Sequence, residues 1–157
     1  MKNVLRKVTF AITVFFICLV FCNAYALDIN AIFGQLKAQL QNSGMVSTDI
    51  NAVESPVKNL LAQGVSQIDL KSMLLDFVSK GFKGKDLSSL VSMVGDLVKS
   101  GSSAKSSAGF VSQAIQQVSA MGLKGNGLMA KVQGIVGQKK ASLDLLSQKG
   151  IGSLFGK

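Results

Sequence analysis

The stretch GFKGKDLSSLV, Gly81 to Val91, returns 41 residues later as GLKGNGLMAKV, Gly122 to Val132. In both copies an apolar residue follows the first glycine directly, and another sits six positions after it. The same frame occurs twice more: Gly44-Met45 leads to Asp49-Ile50, and Gly64-Val65 leads to Asp69-Leu70. Three of the four segments carry an aspartate at the fifth position; the last has Gly127. A helix–turn–helix connector accounts for each part. Glycine closes a helix in the left-handed conformation at little steric cost, and the apolar residue behind it packs back on the last turn. The aspartate accepts hydrogen bonds from free backbone N–H groups and starts the next helix, where its charge suits the helix dipole. Before the third helix, Ser66 is an alternative start, with Asp69 as its capping-box partner.

The segments between connectors agree. Apolar residues recur at spacings of three and four: Ile29, Ile32, Phe33, Leu36 and Leu40; Ile50, Val53, Val57, Leu60 and Leu61; Leu70, Met73, Leu74, Phe77 and Val78. Leu87, Leu90, Val91, Val94, Leu97 and Val98 continue the pattern, then Phe110, Val111, Ala114, Ile115, Val118 and Met121. The last set is Leu128, Val132, Ile135 and Val136, carried on by Leu143 and Leu146. This is the period of amphipathic helices, and no segment alternates as a strand would. Displaced by 41, Leu70 meets Val111, Leu74 meets Ile115, Leu87 meets Leu128 and Val91 meets Val132. Residues around 69–100 and 110–141 therefore read as two copies of one helical hairpin. The expected fold is all-α: a compact bundle of five or six short amphipathic helices with hairpin pseudo-repeats, the alternative being a short α-helical repeat array.

Two irregularities interrupt the pattern. Pro56 lies inside the second apolar set, where it either starts a new helix behind Ser55 or kinks a single one. SGSSAKSS, Ser100 to Ser107, has nothing apolar larger than alanine and reads as a flexible Ser-rich link.

The chain opens with Lys2, Arg6 and Lys7, then the uncharged run Val8 to Cys22, then Ala24-Tyr25-Ala26. These are the three parts of a secretory signal peptide, residues 1–26, with cleavage expected after Ala26. The 15-residue run is short of the roughly 20 residues that span a bilayer. Cys22 and Cys18 follow Phe21 and Ile17, bulky residues that argue against lipidation. The expected mature chain, 27–157, is one helical domain for the periplasm or the exterior. It has no Cys, His, Trp, Arg or Tyr, so apolar packing must stabilise it without disulfides.

The same composition narrows function. Without His or Cys the usual acid–base and zinc sites cannot be built. The eight acids stand singly, so no calcium loop or metal site is expected. Ser55-Pro56-Val57-Lys58 and Ser102-Ser103-Ala104-Lys105 fit S-x-x-K, but the S-D-N and K-T-G companions of that catalytic motif are missing. GFKGK and GLKGNG lack P-loop spacing, and Asp86 would repel a phosphate there. No catalytic, cofactor-binding or metal residue is assigned, and the chain is read as non-enzymatic. Beyond residue 26, 14 lysines face eight acids, a net charge of +6. Lys80, Lys99 and Lys149 fall where helices end, and only Lys139-Lys140 is a doublet. No arginine forks or stacking platforms of the nucleic-acid readers are present. The expected role is binding of a protein partner, or self-association, in the cell envelope or outside the cell. The alternative is a membrane-active or lipid-binding protein that meets anionic membrane or cell-wall surfaces with lysine-bearing helices, a role the tail KGIGSLFGK would also suit.

Overall fold

The computed structural model describes residues 28–155. The expected signal segment 1–26, the expected cleavage after Ala26 and the lipidation question at Cys22 lie outside them. Six helices follow in order: α1 (Ile29–Asn42), α2 (Ser47–Ala62), α3 (Gln67–Ser79), α4 (Gly84–Lys99), α5 (Ala104–Ala120) and α6 (Gly125–Phe155). There is no strand among the described residues. The chain is an all-α bundle.

The glycine connectors close helices as expected. Gly81 stands at φ +90° and Gly122 at +79°. At Gly81 the Schellman pair of bonds forms: the Gly81 N–H donates to Val78 O at 2.9 Å, and the Phe82 N–H to Phe77 O at 3.2 Å. Met45 is buried, and Val65, Phe82 and Leu123 pack against the core. The aspartates, however, do not occupy the cap position. Val46, Ser66 and Lys83 hold it, each two residues after its glycine. Asp49, Asp69 and Asp86 therefore stand in the first helical turn, where they still favour the dipole. Ser66 is the true cap before α3. Its Oγ accepts from the Asp69 N–H at 3.2 Å and donates to Asp69 Oδ2 at 2.8 Å. Only α1 begins on an aspartate, Asp28, which accepts from the Asn30 and Ala31 N–H groups.

The Ser-rich stretch 100–107 is not a flexible link. Gly101 closes α4 with the Ser102 N–H bonded to Leu97 O at 3.1 Å, although no apolar residue follows the glycine. Ser103 then caps α5, its Oγ accepting from the Ser106 N–H at 3.2 Å. Ala104 to Ser107 form the first turn, with Ser107 only 1% exposed. Serine content misled here because serine favours helix caps as strongly as loops. Pro56 lies within the unbroken helix α2. Met121, at the end of α5, and Leu146, in α6, fall outside the core, at 65% and 68% exposed.

The helices form three hairpins, α1–α2, α3–α4 and α5–α6. Their first members pack side by side as one layer, α1 on α3 and α3 on α5. Their second members form the other, α2 on α4 and α4 on α6, and α4 also packs on α5. Well-packed pairs thus join helices one or two apart in the chain. Helix α4 is the hub, burying Leu87, Leu90, Val91, Met93, Val94, Gly95 and Leu97. The first hairpin is a further copy of the repeat, displaced by 37: Gly44 corresponds to Gly81, Asp49 to Asp86, and Ile50, Val53 and Val57 to Leu87, Leu90 and Val94. From α3 to α5 the starts are also 37 apart, Gln67 to Ala104. Helix α5 has 17 residues against 13 in α3, about one extra turn, which stretches the later spacing to 41.

Toward the chain's end the stack becomes polar. Leu90, Met93 and Leu97, buried in α4, correspond to Lys131, Gly134 and Gln138 in α6, all exposed.

Candidate binding groove

Because alternate helices run in the same direction, the connectors α1–α2, α3–α4 and α5–α6 share one end of the bundle. At this end the two copies of the opening sequence face each other across a groove of about 720 Å³. Phe82, Ile115, Leu123 and Leu128 give it apolar walls, and Lys80, Lys124, Asp86, Gln116 and Ser119 a polar rim.

A tie present at the preceding junction is not made at this groove. Between the first and second hairpins, Asp49 Oδ1 accepts a hydrogen bond from the Gly84 N–H at 2.8 Å. Asp49 is 4% exposed, so this carboxylate is buried against the start of α4. Gly84 opens that helix at φ +50°, a backbone setting that costs an L-residue strain. Gly125 opens α6 in the same way, at φ +54°. The repeat thus places Asp86 where Asp49 stood and Gly125 where Gly84 stood. Both line the groove, and no hydrogen bond joins them. Asp86 is exposed, unlike Asp49.

The two rim lysines differ. Lys80 pairs with Asp76, whose other oxygen accepts from Ser112 Oγ at 2.8 Å. Partial burial pushes the Asp76 carboxyl up, but the bonds from Lys80 and Ser112 outweigh it and hold the group below the ordinary 3.8. Lys124 makes no ion pair among the described residues. The groove therefore offers apolar surface, a carboxylate at Asp86, the polar side chains of Gln116 and Ser119, a lysine at Lys124 and the start of α6.

The two S-x-x-K pairs are not assembled as catalytic pairs. Lys58 bonds to Glu54 Oε1 at 2.7 Å and stands 5.4 Å from the Phe33 ring centroid, while Ser55 is exposed. Hydrogen bonding to Lys58, followed by its charge, lowers the Glu54 pKa. Ser102 serves the turn after α4, and Lys105 borders a smaller, mostly apolar cavity of about 250 Å³ at the opposite end of the bundle. Lys139 of the doublet lies 5.8 Å from the Phe110 ring centroid, and Lys140 pairs with Asp144 at 2.6 Å. Among the described residues no three His, Cys, Asp or Glu side chains gather as a metal site would need. No helix there is long and apolar enough to cross a membrane.

Sequence reasoning missed the Asp49–Gly84 tie. Its signal was the second glycine of each copy, Gly84 and Gly125, which recurs three residues after the first. No protein-family model matches the chain, and no curated protein and no solved structure matches it significantly.

Proposed function

We propose that this chain is an exported helical protein that works by binding rather than catalysis, holding a protein partner in the groove between its second and third hairpins. The periplasm or the cell exterior is its place of action. The observation that carries the reading is the groove itself. The repeat that closes the first junction with a buried carboxylate leaves the second junction open, with apolar walls beside an unpaired lysine. An apolar recess with a few convergent polar groups is the usual form of a binding site.

Site-specific photo-crosslinking in the native cell tests it. A photoreactive residue at Gln116, on the rim, is expected to give a discrete adduct with an envelope or secreted protein, or with a second copy of the chain. The same residue at Gln133, on the exposed outer face of α6, is expected to give none. Equal labelling from both positions, or no adduct from Gln116, would refute the proposal.

A further inference from the structure

The cavity of about 250 Å³ at the end of the bundle away from the groove has a counterpart one repeat later, a recess of about 340 Å³. Displaced by 37, Leu60, Ser72 and Met73 of the cavity become Leu97, Gly109 and Phe110 of the recess. Val65, Asp69 and Leu70 become Ser102, Ser106 and Ser107. The same place in the stack is thus built twice. The first copy sets two of its apolar residues and an acid where the second sets three hydroxyls. Gln113 of α5, with Lys139 and Leu143 of α6, completes the recess.

Two observations give these serines a use beyond capping. Ser107, at a core position of the stack, is 1% exposed, and its hydroxyl has no hydrogen-bond partner among the described residues. A buried hydroxyl in that state is costly until a partner bonds to it. The second observation is charge. No residue lining the recess is acidic, and the first turn of α5 carries no acid, so nothing in that turn offsets the partial positive charge of the helix start. Lys139 adds a full charge: it makes no ion pair among the described residues and lies 5.8 Å from the Phe110 ring centroid. Asp144, the acid next to Leu143 in the chain, is paired with Lys140 at 2.6 Å.

We propose that the recess binds a phosphate ester of a small polyol. A phosphate carries up to two negative charges at neutral pH and several acceptor oxygens, which Lys139 and the serine hydroxyls can meet with charge-assisted hydrogen bonds. The Gln113 amide offers both a donor and an acceptor to a polyol hydroxyl. Leu97, Phe110 and Leu143 offer apolar surface to its carbon chain. The recess has about ten times the roughly 30 Å³ that a water occupies, room for an ester rather than a lone ion. It lies at the far end of the bundle from the groove, so this inference stands apart from the partner reading.

An NMR titration of the chain purified after export tests it. Glycerol 3-phosphate is expected to shift the amide signals of Ser102, Ser106, Ser107 and Gln113 saturably. Glycerol should leave them in place, and inorganic phosphate should bind more weakly than the ester. Lys139→Gln and Ser107→Ala should each weaken binding about tenfold, the loss of a bond to a charged group. Ser107→Ala removes an unpaired hydroxyl, so its melting temperature should not fall, which separates a ligand contact from a folding role. Lys105→Gln, in the apolar cavity, should bind like the parent. Dihexanoyl phosphatidylglycerol distinguishes a lipid headgroup from a free ester, the tighter binder naming the source. Three results would overturn the proposal: no saturable shift of these signals with glycerol 3-phosphate, equal binding of glycerol or inorganic phosphate, or parental affinity in either the Lys139 or the Ser107 variant.

Discussion

Asp49 and Asp86 occupy the same place in successive repeats, yet only Asp49 is buried and holds a backbone N–H of the next hairpin. A hydrogen bond to a charged group contributes about 1.5–3 kcal/mol, so Asp49→Ala should lower the unfolding free energy in urea by about 2 kcal/mol. Asp86→Ala, at an exposed site without a bond, should change it by less than about 0.5 kcal/mol. No local pattern separates these aspartates in the sequence, because the difference lies in how close the following hairpin comes. Ser107 is a converse case. Counting 37 from Leu70 reaches it, so it sits at a core position of the stack. Its hydroxyl is buried without a hydrogen-bond partner. Ser107→Ala should therefore raise stability by about 1 kcal/mol, the lower end of the cost of an unsatisfied buried group.

Among the elements, α2 carries the clearest internal cost. Pro56 lies ten positions into a 16-residue helix, where it cannot donate to the carbonyl four residues back. Pro56→Ala should stabilise the chain by about 1–3 kcal/mol, measured by urea denaturation. The apolar phase running through Pro56 was visible in the sequence. Whether the helix continued was not, because the residues flanking the proline suit a cap as well as a helix interior. Helix α3 is held to α5 through Asp76, which takes bonds from Lys80 and Ser112. Its pKa is lowered in the folded chain, so the native state binds fewer protons than the unfolded one near that pKa. The resulting stabilisation is present above the ordinary value of 3.8 and is lost as pH falls through the lower folded value. Melting temperature should accordingly fall on acidification below about pH 4, and Asp76→Asn should flatten part of that fall.

For the whole molecule, the main consequence is that well-packed pairs join near neighbours in the chain. Closing such contacts costs little loop entropy, so the bundle should refold within milliseconds, in a single phase by stopped-flow circular dichroism. Much of this architecture was legible: the glycine frame marked every connector but the serine-rich one, and the displacement of 41 identified the last two hairpins. The first hairpin's membership was hidden because the extra turn of α5 breaks the common period. The groove was hidden too, since it is lined by two connectors and the helices beside them, which only the tertiary packing brings together. The Asp49–Gly84 bond has a mechanical meaning. A molecule clasped between its first two hairpins and unclasped before its third should come apart from the carboxyl-terminal side. Stretched by its ends in an optical trap, it should release α5 and α6 first, at lower force, and adding the missing clasp would bring the two ruptures together.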